Sequence, residues 1–159
     1  MPTIESVTLD TMNLLQTLNA SVSTVKAPAV ASYPTVLDTP NLPCIITWPG
    51  AADWWIKGGG FIEMLRTYRI ICFIQPLGQD DIPSRTVDGV TLLQQIGNLY
   101  VNVANVAQAN PPPYQLTIES DPSGTHHADG GLVPSISFGG KPFVGFELSV
   151  KVRALWIPT

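Results

Sequence analysis

The sequence predicts an α+β fold, in which an antiparallel sheet of about four to five strands carries two helices packed on one face and a long protruding hairpin arm. Two segments place apolar residues at three- and four-residue spacing, which is typical of amphipathic helices. Other segments alternate apolar and polar residues, which is typical of strands with one buried face. The predicted order along the chain is helix, two strands, helix and three strands, without an internal repeat.

Length and composition predict a single domain over residues 1–159. Apolar residues make up 45% of the 159-residue chain, enough for a sizeable core. Charged residues make up only 13%, against about 25% in a typical globular protein, so another chain is expected to cover part of the surface.

Charge and hydropathy exclude several classes of protein. The formal net charge of -4 argues against a general nucleic-acid binder. No run of about 18 apolar residues is present, so no membrane span is predicted. The N-terminal stretch MPTIESVTLD lacks a basic start followed by an apolar core, so we expect no signal peptide and synthesis in the cytoplasm.

The first helix is predicted over residues 3–20. Thr3 is suited to cap its start, and Glu5 is suited to its first turn. Residues 21–42 contain several prolines and no clear period, so they are predicted to form a linker across the surface. The residues expected on the buried face of the helix are Ile4, Val7, Thr11, Leu14, Leu15 and Leu18.

Two strands and a hairpin arm are predicted next. Residues 43–49, PCIITWP, read as a short strand closed by a proline at each end. Residues 61–76, FIEMLRTYRIICFIQP, read as a longer strand. Between the two strands, residues 50–60 are predicted to form an extended arm rich in tryptophan and glycine. The side chains expected on one face of the longer strand are Ile62, Met64, Tyr68, Ile70, Cys72 and Ile74.

The second helix is predicted over residues 87–109, capped by Thr86 or Asp88 and stopped by the NPPP sequence. Its apolar arc is wide, so both flanks are expected to be covered. One stripe consists of Val90, Leu93, Ile96, Gly97, Tyr100, Ala104 and Ala107. A second stripe consists of Leu92, Leu99, Val103 and Val106.

Three strands are predicted after the second helix, in the sequences YQLTIES, LVPSISFGG and KPFVGFELSVKVRALW. The last of them has the clearest alternation in the chain. One side of this strand is predicted to hold Val144, Phe146, Leu148, Val150, Val152, Ala154 and Trp156. The other side is predicted to hold Glu147, Ser149, Lys151 and Arg153.

The residue types that carry catalysis or bind metals form no pattern that predicts an enzyme, a cofactor or a metal site. The candidates are His126 and His127 with Asp121 and Asp129 on one loop, and Asp80 and Asp81 on another. A metal site needs three or four convergent ligands, and adjacent loop residues rarely point at one ion, so solvated turns are predicted. The glycine runs lack the strand, loop and helix context of a phosphate-binding loop.

Cys44 and Cys72 both lie in strand-like segments. A disulfide between paired strands and two buried free thiols are both compatible with this placement. The free thiols are favoured, because a reducing compartment is expected.

Three of the four tryptophans lie beside a glycine triplet in WPGAADWWIKGGG, residues 48–60. Three interpretations are open: the indoles fold back onto the core, they stack on sugars, or they anchor a protein interface. The interface is favoured, because a flexible glycine-rich arm costs entropy unless a partner orders it. The residues predicted for this interface are Trp48, Trp54, Trp55, Ile56 and Phe61, together with Lys151 and Arg153, whose charges would meet an acidic neighbour in a ring.

The order of elements and three stretches resemble the tail terminator family, which belongs to the small neck and tail-completion proteins of long-tailed bacteriophages. The stretches are NLPCIITWPG, TYRIICFIQPLG and FVGFELSVKVRALW. The resemblance covers most of the chain as a pattern of elements. The arm at residues 50–60 and the linker at residues 21–42 are additions to this pattern.

The resemblance implies a virion structural protein without catalysis or cofactor, assembled in the host cytoplasm and located in the tail or neck. Such a protein forms a homohexameric ring on the finished tail tube, where it contacts the tube protein and presents a surface to the head-completion or connector protein. A ring of heterologous contacts closes by rotation. A head-completion or stopper protein of the neck is the nearest alternative, and a carbohydrate-binding module is the alternative from another class.

Overall fold

The computed structural model describes residues 2–78, 82–101, 114–118 and 129–157, and within them the predicted α+β class is confirmed. The helices are α1, Ile4–Asn19, and α2, Ile82–Val101. The strands are β1, Cys44–Ile56; β2, Ile62–Pro76; β3, Tyr114–Ile118; β4, Asp129–Phe138; and β5, Lys141–Trp156.

These five strands form one antiparallel sheet in which β5 is the long central strand. On one side of β5 lies β2, and β1 lies beyond it at the edge of the sheet. On the other side, β4 pairs with residues 141–149 of β5 and β3 pairs with residues 152–156. The long hairpin formed by β1 and β2 therefore has β1 as its outer strand.

Both helices cover the same face of the sheet, which we call the helix face. The core on this face joins both helices to β1, β2, β3 and β5, so the alternation predicted for the two longest strands is confirmed. The start of α1 is also confirmed: Ser6 N–H donates to Thr3 Oγ1 at 3.1 Å, and Thr3 N–H donates back to Ser6 Oγ at 2.8 Å. The largest fully buried side chains of this core are Trp156, Tyr68, Tyr100 and Phe146.

A buried polar cluster ties both helices to the first half of β1. Asn19 Nδ2 donates to Gln16 Oε1 and to Thr47 Oγ1, both at 3.2 Å. Gln16 Nε2 donates to the main-chain oxygen of Ile45 at 2.7 Å, and the Tyr100 hydroxyl donates to Asn19 Oδ1. Because buried polar groups are costly without partners, this cluster fixes the position of α1 over β1.

The opposite face of the sheet, which we call the open face, is covered at one end by the predicted linker. Leu37 lies in this segment and is buried against a small apolar cluster of the strands. The strand residues of that cluster are Cys44, Ile46, Ile71, Phe73 and Phe143. The linker thus contributes a buried side chain as well as crossing the surface.

The prediction for the second helix is wrong at its start. α2 begins at Ile82 instead of residue 87, so Thr86 and Asp88 lie inside the helix and do not cap it. Because proline is tolerated in the first turn of a helix, the sequence IPS does not delay the start.

The buried stripe of α2 also differs from the first predicted stripe. Leu92, Ile96 and Tyr100 are buried, whereas Val90 is exposed. Successive buried positions four residues apart place Val90 on the flank that faces away from the sheet. The predicted end at residue 109 lies outside the described residues, as do Val103, Ala104, Val106 and Ala107.

Candidate interface at the hairpin end

The paired strands of the hairpin extend into residues 50–60, which are predicted from the sequence to form an extended arm between the two strands. β1 continues beyond Pro49 to Ile56, and the pairing with β2 ends where Ile56 lies opposite Ile62. The predicted strand at residues 43–49 is too short, because a proline in an edge strand does not have to end it when its nitrogen faces away from the partner strand.

A bulge after Pro49 changes which side chains of β1 face the helices. Thr67 of β2 has no single partner in the register, because Gly50 and the following residue of β1 together lie opposite it. A Cβ atom at Gly50 would lie 2.8 Å from the main-chain oxygen of Thr67, which explains the glycine. Before the bulge Trp48 lies on the open face, whereas after it Trp54 lies on the helix face and Trp55 on the open face.

The glycine triplet forms the turn of the hairpin. Lys57 N–H donates to the main-chain oxygen of Phe61 at 2.7 Å and closes this turn. Gly59 and Gly60 have φ angles of 83° and 79°, which residues other than glycine rarely adopt. The triplet is therefore a defined turn.

The end of the hairpin is flanked by other strands and is one corner of the sheet. β5 pairs with β2 as far as Trp156, which lies opposite Ile62, and β3 pairs with the same end of β5. Residues 52–56 of β1 thus form the outer edge of a four-stranded region. The residues predicted to form an extended arm, 50–60, are the edge strand and turn of this region.

Five large apolar side chains are exposed at this corner. Trp54 is 56% exposed and Ile56 is 80% exposed, and Trp55, Phe61 and Ile157 are exposed beside them. Single exposed apolar residues are common on monomers, but a group of this kind is typical of an interaction site. We call these five residues the hairpin-end surface. Sequence reasoning missed Ile157, whose signal is its position directly after the alternating strand.

Charged side chains hold the hairpin end in place on the open face. Glu63 is 3% exposed, and its carboxylate lies between Lys57 in the turn and Arg153 on β5. Lys57 Nζ lies 2.5 Å from Glu63 Oε2, and Arg153 donates to Glu63 Oε1. Burial acts to raise the pKa of Glu63, but these two cations outweigh it and lower the pKa. Sequence reasoning missed Glu63, because only the strand register brings it to Arg153.

The predicted interface residues do not all meet at one place. Trp54, Trp55, Ile56 and Phe61 share the hairpin end, and Arg153 supports it through Glu63. Lys151 is exposed further along the open face, opposite Thr67.

Trp48 lies apart from the hairpin end, beside a depression of about 450 Å³ on the open face. It is 52% exposed and lies opposite Arg69, which pairs with Glu147 across the sheet. The other residues around the depression are mainly apolar, with two serines: Ile46, Ile71, Phe73, Val133, Ser135, Ile136, Ser137 and Phe138.

The two cysteines of the chain do not form a disulfide with each other. Cys44 and Cys72 are buried free thiols on opposite faces of the sheet, as favoured from the sequence. Burial raises the pKa of the Cys44 thiol to about 11, although Lys26 acts to lower it. The same cause raises the pKa of Cys72 further. Both thiols are therefore inert at neutral pH.

Within residues 2–78, 82–101, 114–118 and 129–157, no three histidine, cysteine, aspartate or glutamate side chains are grouped closely enough to hold a metal ion. Asp80, Asp81, Asp121, His126 and His127 lie outside these ranges. None of the described helices is both long and apolar enough to cross a membrane. No model of a known protein family matches the chain, and no curated protein is significantly similar to it.

Proposed function

We propose that this protein is a tail terminator, a virion structural protein that forms a homohexameric ring on the end of a phage tail tube. The ring halts growth of the tube and joins the tail to the head connector, without catalysis. Its mechanism is geometric, because the ring covers the binding edge of the polymer and offers no edge of the same kind. The observation that carries the proposal is the hairpin-end surface.

A polypeptide partner suits this surface better than a sugar does. Trp54 and Trp55 lie on opposite faces of the edge strand, so their indoles do not form one flat platform for stacking. Two large aromatic side chains on either side of an edge suit a partner that wraps around it, and tryptophan is enriched at the centre of protein interfaces. The subunit edge therefore contacts the tube or a neighbouring subunit.

The test replaces the two indoles without disturbing the fold. In a Trp54→Ser, Trp55→Ser variant, both changed side chains are exposed, so circular dichroism should be unchanged. Tubes assembled from the tail-tube protein are imaged by negative-stain electron microscopy with each variant. The unaltered protein is expected at one tube end, with shorter tubes, and the double variant is expected to lose both effects.

Trp48→Ser is the matched control, because it removes an exposed indole of β1 away from the hairpin end. It should cap tubes as the unaltered protein does. If the unaltered protein leaves the tubes at unchanged length, with no density at their ends, the proposal is overturned. Density on isolated heads instead would favour the head-completion or stopper alternative.

A carbohydrate-binding module is the second candidate, and the depression beside Trp48 is the observation in its favour. An exposed indole next to the Arg69–Glu147 pair and two serines offers both a stacking surface and hydrogen-bonding groups. Screening on a glycan array with Trp48→Ala as control tests this candidate. Binding that the substitution abolishes would support it, and the absence of any bound glycan would remove it.

A further inference from the structure

Among the residues that the structure describes, contacts protect the outward edge of β1 only along its first half. Lys26 N–H donates to the main-chain oxygen of Pro43, and Ile45 N–H donates to the oxygen of Lys26. The Tyr33 hydroxyl then accepts from Thr47 N–H at 2.9 Å and donates to Thr47 O at 2.8 Å. This half of the edge is therefore closed to another strand.

The second half of this edge is open within the part of the chain that the structure describes. Successive residues of a strand direct their main-chain groups alternately to either side, and the bulge shifts this alternation by one residue. Since Ile45 and Thr47 face outward before the bulge, Ala52, Trp54 and Ile56 face outward after it. Among the described residues, none pairs with these outward groups. An open edge with apolar side chains is a template for strand addition.

Residues 52–56 are complementary to themselves in an antiparallel pair. With Trp54 opposite the partner's Trp54, small Ala52 lies opposite the large side chain of the partner's Ile56. Asp53, the one charged residue of the segment, then lies opposite the partner's Trp55 and not opposite its own copy. Every outward N–H and C=O of the segment gains a partner in this register.

We propose that two copies of this chain, when free of other partners, join edge to edge through residues 52–56 of β1 into one continuous sheet. The contact is isologous, as expected for a twofold dimer. Antiparallel pairing directs the protected halves of the two β1 strands away from each other, so the linker segments beside them do not collide. The dimer covers part of the hairpin-end surface until another partner displaces it.

The dimer is expected to form from this chain alone, without a tail tube. The inference rests on the proposed function only in one respect: the tube and the second copy would compete for the same edge of β1. Sedimentation velocity of the full chain measures the native mass, and a species of twice 17.1 kDa is expected at high concentration. A monomer at the highest soluble concentration would overturn the dimer. Unaltered protein that forms the dimer but does not cap tubes would overturn the proposed function alone.

Proline at residue 56 tests whether main-chain pairing makes the contact. Ile56→Pro removes an outward N–H and leaves the pairing within the chain intact, because Ile56 is 80% exposed and faces outward. The dissociation constant of the dimer should rise by more than about tenfold. Ile56→Thr keeps the N–H and the β-branched shape, so it should change the constant by less than about threefold. Equal effects of the two substitutions would refute strand pairing.

Hydrogen exchange of individual amides separates strand pairing from contact between side chains alone. Asp53 and Trp55 face β2, so their amides should exchange slowly at every concentration. The outward amides of Trp54 and Ile56 should exchange fast in dilute protein and slowly in the dimer. A dimer in which these two amides still exchange fast would contradict the proposed edge.

Discussion

Replacing Glu63 by glutamine tests whether charges hold the hairpin end in a fixed conformation. The carboxylate is 3% exposed and contacts both Lys57 and Arg153, and a hydrogen bond to a charged group contributes about 1.5–3 kcal/mol. The side chains of Lys57 and Arg153 are 52% and 34% exposed. Water can therefore solvate part of their positive charge when the carboxylate is lost. We expect the free energy of unfolding to fall by about 2 kcal/mol at neutral pH.

The effect of this substitution should depend on pH in one direction. The pKa of Glu63 is lowered from its ordinary value of 4.5, so its contribution to stability is full above pH 4.5. The contribution is lost as the pH falls through the folded-state pKa, where the carboxyl becomes neutral like the glutamine. Urea denaturation of both proteins, followed by circular dichroism from neutral pH downwards, should show the two stabilities converging.

Glu147→Gln is the matched control, because Glu147 also pairs with an arginine on the open face. The side chains of Arg69 and Glu147 are 47% and 28% exposed, and such pairs contribute about 0–1 kcal/mol. A Glu63→Gln effect no larger than that of the control would refute the reasoning. A large effect that stays constant on acidification would refute it as well, since the loss would then not come from the charge.

Two further predictions concern the body of the protein. Asn19→Ala should lower the free energy of unfolding, measured by urea denaturation, by about 1–3 kcal/mol. The substitution removes the hydrogen bonds that Asn19 makes with Gln16, Thr47 and Tyr100 in the core. Asn13→Ala, on the exposed face of the same helix, should have little effect in the same measurement. Cys44 and Cys72 should react with a thiol reagent only on unfolding, because both are buried and their pKa values are raised, so labelling of the native protein at the rate of a free thiol would contradict their placement.

The sequence predicts the faces of the long strands well, because a period of two leaves only two choices. The alternation of β5 assigns Phe146, Leu148 and Val150 to the core, and the structure confirms each of them. The start of α2 is not predicted, because proline both interrupts helices and suits their first turn. The end of β1 is not predicted for a similar reason: Pro49 and Gly50 indicate a loop, yet here they belong to an edge strand with a bulge.

The candidate site is predicted by residue type but not by arrangement. Tryptophan, isoleucine and phenylalanine beside glycines indicated an exposed apolar surface, and Trp54, Ile56 and Phe61 are exposed. Nothing local in the sequence separates Trp48 from the other two indoles, because the separation depends on β1 continuing beyond Pro49, which places Trp54 and Trp55 at the far end of the hairpin. The pairing of Glu63 with Arg153 depends on strand register, which tertiary packing sets.

Tryptophans and a glycine triplet occur together here because the glycines make the turn that allows β1 and β2 to pair up to their ends. A disordered arm would lose about 1–2 kcal/mol of backbone entropy for each residue that a partner ordered. The hairpin end avoids most of this cost, since its strands are paired and Lys57 and Arg153 hold Glu63, which lies opposite Trp55. Its exposed indoles are therefore preorganised, and a partner that covers them gains their burial with little further ordering of this chain.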